Sequence, residues 1–346
     1  MRFLALVAVC GLMMSCSPTP NYTKLQYTKL QGETMGTSYH IRFEMPNNAE
    51  LNSIQADIDK RLASINNSMS TYQDDSTISR FNRLKAGEVI TIDGDFIKVL
   101  DDSRVVYAAS QGSFDPTVYP LVELWGFGKS ISVERLQNPP STAEISAIKD
   151  KIGLDKVVLT GNVLSKTVDG VGLDFSAIAK GYGVDVIAEV LKNQYHINNY
   201  MVEIGGEVAT LGVNDKGKPW MLAIDKPIAD STVSQRAVMT TLSVNEANIA
   251  TSGNYRNSMT WNDVRYSHTI NPKTAKPVAN GVPSVTVLHD SVALADAWAT
   301  ALTAVPQDEA IVMANTHGIK AIFVEETADN KGFGLIYSEV AEGLSP

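Results

Sequence analysis

Cysteine is nearly missing from this chain: of 346 residues only Cys10 and Cys16 are cysteine, and both lie at the extreme N-terminus. A chain processed at Cys16 has no second thiol for an internal disulfide, and its body cannot build a cysteine-ligated zinc or iron–sulfur site. Excess positive charge is missing too. The formal net charge is −9, with 29 Lys and Arg against 38 Asp and Glu. That balance argues against nucleic acid as a partner and against bulk attraction to anionic membranes, while leaving room for a local anion site. No apolar run is long enough to span a bilayer: Phe3 to Met14 is too short. There is no G-x-G-x-x-G fingerprint, and the tandem YTKLQ at 22–26 and 27–31 is too short for a solenoid.

The N-terminus carries an address. A positive start (Arg2), the Phe3–Met14 apolar run and then Ser15-Cys16 read as a secretory signal segment over residues 1–15. The small residue before Cys16 resembles the lipobox of bacterial lipoproteins, in which the cysteine is lipidated; Met13 departs from the usual Leu. Cleavage elsewhere as a plain signal peptide is the alternative. Residues 16–31 then read as a lipidated tether.

From residue 32 to 346 the sequence reads as one globular body without a long linker. Alternation predicts strands at SYHIRFEM (38–45), KVVLTGNVLSKTV (156–168), NYMVEIGGEVATLGVN (199–214), PWMLAID, AVMTTLSV, SVTVLH and KAIFVEE. Apolar spacing predicts helices over 50–68 (Leu51, Ile54, Ile58, Leu62, Ile65), 96–112, 141–152, 176–194 and 292–305. Strands follow strands more often than helices, so the fold class is α+β with mostly antiparallel sheets.

Several residues are candidates for chemistry. Asp296 and Thr300 form a polar stripe on the otherwise apolar helix that follows Asp290-Ser291. A buried carboxylate needs compensation. Either a hard cation such as Mg²⁺ takes the two oxygens, or Asp296 accepts from a nearby backbone N–H while Thr300 bonds its own helix. Asp174 reads as a helix N-cap or as part of an anion site with Lys180. Gly181 and Gly183 are costly early in a helix and imply something packed closely there. His268, in SHTINPKTAKPV, suits a general base, against the alternative of an ordinary structural histidine. Gly205-Gly206 either admits a close approach or merely turns. The aromatic segment 112–128 either walls a pocket for a planar ring or packs under a loop.

Taken in order, GETMGTSYHI, STYQDDSTISRFN, GSFDPTVYPLVELWGFG, LDFSAIAKGYGVD, VEIGGEV, IATSGNYRN, SHTINPKTAKPV and SVTVLHDSVALADAWATAL resemble the ApbE family. The resemblance covers residues 32 to 340; the His268 segment and the Ala-Asp-Ala-x-x-Thr segment are its most specific parts. It implies a single T-fold-related domain and an FAD:protein FMN transferase, commonly a lipoprotein facing the periplasm. FAD would be the substrate, with Mg²⁺ on its pyrophosphate, and a Thr or Ser hydroxyl of a target protein would attack the FMN-side phosphorus as AMP leaves. By resemblance, Met35, Tyr72, Ser113, Phe114, Asp115, Asp174, Lys180 and Ile270 contact FAD. Asp296, Thr300 and the Ala177 carbonyl hold the metal, and His268 is the base. The family suggests acceptor subunits of Rnf-type and sodium-translocating NADH:quinone reductase complexes. Ala299, Ala275 and Asn271 depart from the family pattern. The alternatives are an Mg²⁺-dependent FAD pyrophosphatase giving FMN and AMP, and a non-catalytic flavin-binding lipoprotein.

Overall fold

Alternating apolar residues build the main sheet, whose eight antiparallel strands follow one another in space in the order they follow in sequence. They are β1 (Tyr27–Thr34), β2 (Thr37–Glu44), β3 (Tyr200–Ile204), β4 (Glu207–Leu211), β5 (Ala247–Gly253), β6 (Ser284–His289), β7 (Lys320–Glu326) and β8 (Phe333–Tyr337). The computed structural model describes residues 25–47, 49–129, 138–228, 237–253, 258–261, 264–267, 269–278, 282–327 and 332–344. Cys16 and the leader lie outside them, as does His268. The expected α+β class with antiparallel sheets is the observed one.

Helices pack against the sheet and against one another: α1 (Leu51–Met69), α2 (Thr77–Arg83), α3 (Gly94–Ala109), α4 (Tyr119–Trp125), α5 (Thr142–Lys149), α6 (Ala179–Glu189), α7 (Val292–Thr303) and α8 (Gln307–Thr316). Phe96 and Val99 of α3, Tyr182 and Val186 of α6, and Ala295 and Trp298 of α7 pack with Val285, Val287 and Phe323 of the sheet. A second cluster joins Ile54, Ile58 and Leu62 of α1 to Ile41, Phe43 and Val202. Ile322 and Val324 point to the opposite face, where the hairpin Trp220–Asp225/Val238–Val244 covers them with Ile224 and Leu242. Alternation along β7 thus divides two cores, and each buried Ile or Leu contributes about 2 kcal/mol.

Two sequence expectations need correction. Residues 27–31, read as tether, form the first half of β1, because Leu30 of the second YTKLQ is buried against the core opposite Ile41. The helix expected from 176 begins only at Ala179 and ends in a wider helical turn, Val190–Gln194. Within 112–128, Pro116 and Pro120 sit in the first turns of a 3₁₀ turn and of α4, and left-handed Gly126 ends α4.

Candidate active site

Two hairpin tips and the start of α6 converge at the N-terminal end of that helix. The β1–β2 tip is Met35-Gly36, with φ of 49° and 73°. Two-residue hairpin turns of this hand need positive φ at both positions, and a methionine there carries a backbone cost of about 1 kcal/mol or more. Its side chain lies over α6: a Cβ at Gly183 would come within 2.9 Å of Met35 Cε. The β3–β4 tip is Gly205-Gly206, again with both φ positive. A Cβ on Gly205 would meet Thr37 at 2.8 Å and the Lys180 stem (Cδ) at 3.3 Å. This turn therefore admits a close approach, and what approaches is Lys180.

Between the β1–β2 tip, the end of α1, the loop Ser70–Gln73 and the start of α6 lies a cleft of about 890 Å³. Met35, Tyr72 and Lys180 line it, with Ser176 and Ala179 beside them. Tyr72 is 60% exposed, so its ring is available at the mouth. Asn66 donates to the Thr34 hydroxyl at 3.0 Å, which ties α1 to the hairpin wall.

Lys180 connects this cleft to the buried carboxylates. Its ammonium lies 3.1 Å from Glu207 Oε1 and 3.5 Å from Asp296 Oδ2. Asp296 is 2% exposed, and Oδ2 also accepts from the Gly181 N–H at 3.1 Å. The carboxylate in the apolar helix is thus compensated by the chain itself, through an N–H at the start of α6 and one lysine. Burial by itself would lower the Lys180 pKa, but Asp296 and Glu207 outweigh it and raise it above lysine's ordinary value, so the ammonium stays charged. Burial pushes Glu207 up to about 8; Lys180 opposes the shift and the Asp296 charge adds to it.

Glycine explains how the two helices come so close. A Cβ on Gly181 would lie 2.4 Å from Val292 O and 2.8 Å from Ala293 Cα, so α6 touches the backbone of α7 there. What packs at Gly181 is a helix backbone, and at Gly183 the Met35 side chain. The Thr300 hydroxyl does not bond its own helix; it lies 3.3 Å from Ser252 Oγ of β5. Ala177 sits in the turn that precedes α6. Asp296, Thr300 and a backbone carbonyl make an all-oxygen donor set, the type that hard divalent cations take. Among the described residues no group of three or more His, Cys, Asp or Glu is gathered for a metal, and this set includes a single carboxylate.

The remaining described candidates do not line the cleft. Asp174 is not an α-helix N-cap, since α6 starts five residues later. Its carboxylate instead accepts from the Ser176 N–H at 2.8 Å in a local turn. The Asp174 N–H donates to Pro116 O at 2.8 Å, bringing the 113–116 segment alongside. Ser113, Phe114 and Asp115 are all buried. Phe114 belongs to the main core. Burial pushes Asp115 up to about 6, against the Thr117 hydroxyl and N–H that both donate to it. Ile270 packs with Leu121, Trp125 and Ala275. His268 is outside the described residues, but the loop base is closed beside it: the Ser267 N–H donates to Val278 O at 3.1 Å and the Thr269 N–H to Ser267 Oγ at 3.0 Å.

The departures acquire physical meaning. Ala275 has φ 57°, in the left-handed region that favours glycine. Asn271 donates to Ala304 O, just past α7, at 2.7 Å, a bond an aspartate could not make, and its carbonyl oxygen accepts from the Lys273 and Thr274 N–H groups. Ala299 is fully buried in the main core.

Glu207 was missed by reading sequence. It shares strand parity with buried Ala209 directly after Gly-Gly, which is a signal, but its partner Lys180 lies 27 residues earlier.

Comparison with known proteins meets this geometry. Residues 35–323 match the model of the ApbE family. The FAD:protein FMN transferase of Vibrio cholerae is 39% identical over 87% of this chain and 88% of its own length. That of Haemophilus influenzae is 36% identical over 95% and 94%. The solved structure of the flavin transferase ApbE from Vibrio cholerae superposes with a TM-score of 0.83 at 37% identity, covering 93% of this chain and all of that one. The apo form of the Pseudomonas stutzeri flavinyl transferase ApbE gives 0.82 at 30% identity, over 94% and 98%. With half its length and more matched by the family model, and the glycine-dependent α6–α7 junction built from the motifs that define the resemblance, the chain belongs to the ApbE family.

Proposed function

We propose that this chain is an FAD:protein FMN transferase that moves the FMN half of FAD onto a threonine or serine hydroxyl of a target protein. The hydroxyl oxygen forms the new bond to the FMN-side phosphorus, the bond from that phosphorus to the AMP phosphate breaks, and AMP leaves. The hydroxyl proton goes to His268. The observation that carries the reading is Lys180: it lines the 890 Å³ cleft while its ammonium lies 3.5 Å from the buried Asp296.

Phosphoryl transfer depends on positioning and on neutralising phosphate charge. Tyr72 and Met35 offer an aromatic ring and an apolar side chain to the flavin nucleotide. Lys180 offers its charge to the pyrophosphate. Ser113, Phe114, Asp115, Asp174 and Ile270 complete the FAD site by family likeness. Asp296, Thr300 and the Ala177 carbonyl fit Mg²⁺ because every donor is oxygen and the carboxylate is already held in place. When bound, Mg²⁺ would neutralise pyrophosphate charge. The leader supports export and anchoring through a lipid on Cys16, facing the periplasm, and the family likeness supports acceptors of the Rnf and sodium-translocating NADH:quinone reductase types.

The test is a mass assay. The full chain in detergent is mixed with FAD, Mg²⁺ and a threonine-bearing acceptor domain from such a complex. The expected result is an acceptor carrying one FMN residue, with AMP released. Free FMN and AMP beside an unmodified acceptor would replace this reading with a pyrophosphatase, and intact FAD with no AMP across several acceptors would make the protein a carrier. Fractionation of a Cys16→Ser variant checks the anchor: the variant is expected in the soluble fraction.

A further inference from the structure

Glu207 is used by nothing described so far, yet the chain buries it at 3% exposure. Only one of its oxygens has a partner: Oε1 receives the Lys180 ammonium at 3.1 Å, and Oε2 has no hydrogen-bond partner. A half-satisfied buried carboxyl is costly, so its retention asks for a reason in what it does to Lys180. The local fold is built around that contact. The Gly205-Gly206 turn brings backbone against the Lys180 stem, and the next residue in the chain catches the head.

We propose that Glu207 is a positioning residue: its Oε1 shares the Lys180 ammonium with Asp296 and so keeps it from pairing with Asp296 alone, which is left able to take a divalent cation. The distances already rank the two carboxyls in this way, since the ammonium sits closer to Glu207 than to Asp296, 3.1 against 3.5 Å. With the Glu207 acceptor gone, Lys180 has one buried carboxylate within reach instead of two. It would pair with Asp296 alone, withdraw from the cleft and compete with the cation for the same oxygens. The second half of this inference rests on the cation reading above; the first half does not.

The test uses the full chain in detergent, as wild type, Glu207→Met, Lys180→Met and the double variant, with near-UV circular dichroism confirming that each is folded. FAD affinity is read from flavin fluorescence with EDTA present, so that no cation takes part. Glu207→Met is expected to weaken FAD about tenfold, and the double variant to bind FAD no more weakly than Lys180→Met alone, because coupled residues fail to add. Glu207→Gln, which keeps an acceptor oxygen, is expected to restore most of the affinity. Cation binding is read separately from the electron paramagnetic resonance of Mn²⁺. It should weaken in Glu207→Met and recover when Lys180→Met removes the competitor.

Unchanged FAD affinity in Glu207→Met, or independent and multiplying effects of the two substitutions, would overturn the positioning role. A wild type that takes up no Mn²⁺ would overturn the cation reading and the second half of the inference, while the FAD measurements still decide the first half. Should Glu207→Met not fold, Glu207→Asp carries the same comparison, because it withdraws the acceptor by one methylene.

Discussion

The two helices that meet at the centre of this site begin in opposite ways. At the start of α7 every leading N–H has a side-chain partner. Asp185 of α6 accepts from the Val292 and Ala293 N–H groups at 2.9 Å and from the Ser291 hydroxyl at 2.8 Å. Ser291 Oγ in turn accepts from the Leu294 N–H at 3.3 Å. At the start of α6 the N-cap is Ile178, whose side chain caps nothing. There the Gly181 N–H goes to Asp296 on the other helix, and Lys180 keeps 28% of its side chain exposed beside the cleft. A helix start saturated by its own protein has nothing left for a ligand. Thus α7 is fixed so that Asp296 and Thr300 are fixed, while α6, whose Ala179 and Gly181 N–H groups are taken by Phe175 O and Asp296, presents the Lys180 charge to an anion.

Breaking the saturated start should have the larger effect. Asp185→Ala removes a half-buried carboxylate from three donors and is expected to cost about 3 kcal/mol. Ser291→Ala removes a conventional cap and should cost about 1 kcal/mol. Urea denaturation midpoints of the two variants check the ranking. Equal losses would mean that Asp185 adds nothing beyond an ordinary cap.

The next largest effect tests the contact between the helices. In Gly181→Ala the new Cβ meets the α7 backbone at 2.4 Å, so α6 and α7 must separate, at a cost of about 2 kcal/mol. Gly183→Ala meets the flexible end of Met35 at 2.9 Å and should cost about half as much, because the methionine can turn aside. FAD affinity sharpens the contrast. The first substitution moves Lys180 relative to Asp296, and the second disturbs only the Met35 wall of the cleft.

These contrasts also explain what the sequence could reveal. Period-2 and helical spacing placed β2, β3, β4, β6 and β7 and α1, α3, α6 and α7, because their apolar faces are local patterns. The early glycines announced a close contact, and an aspartate in an all-apolar helix announced a buried charge. The partners of those residues were not legible. Asp185 and Ser291 are 106 residues apart, and Gly181 and Asp296 are 115 apart. Glu207 looked like a hairpin residue until β4 turned it toward Lys180. Helix α4 was hidden by its own proline, which reads as a breaker unless it falls in the first turn.

A separate effect is expected from pH. Burial raises Glu207 from 4.5 in the unfolded chain to about 8 in the folded one. The folded state therefore holds the extra proton between these values, and the stability it gives is complete below pH 4.5 and lost as pH rises through about 8. In metal-free protein the urea midpoint should fall across this window, and in Glu207→Gln that part of the slope should vanish. An unchanged slope in the variant would assign the titration to another group.

The smallest effect lies at the far end of α7, where Asn271 donates to Ala304 O. The loop that supplies Asn271 passes through Ala275 at φ 57°, with its carbonyl accepting from Trp125 Nε1 at 3.0 Å. Ala275→Gly relieves the left-handed strain but frees the unfolded chain, so the two effects oppose each other. The strain in a fully buried, doubly bonded turn is the larger of the two, and the variant should gain about 0.5 kcal/mol. A loss of stability would mean that the alanine methyl, packed against Trp125 and Ile270, matters more to this loop than its backbone conformation does. The end of α7 would then be held by side-chain packing, as its start is held by side-chain hydrogen bonds.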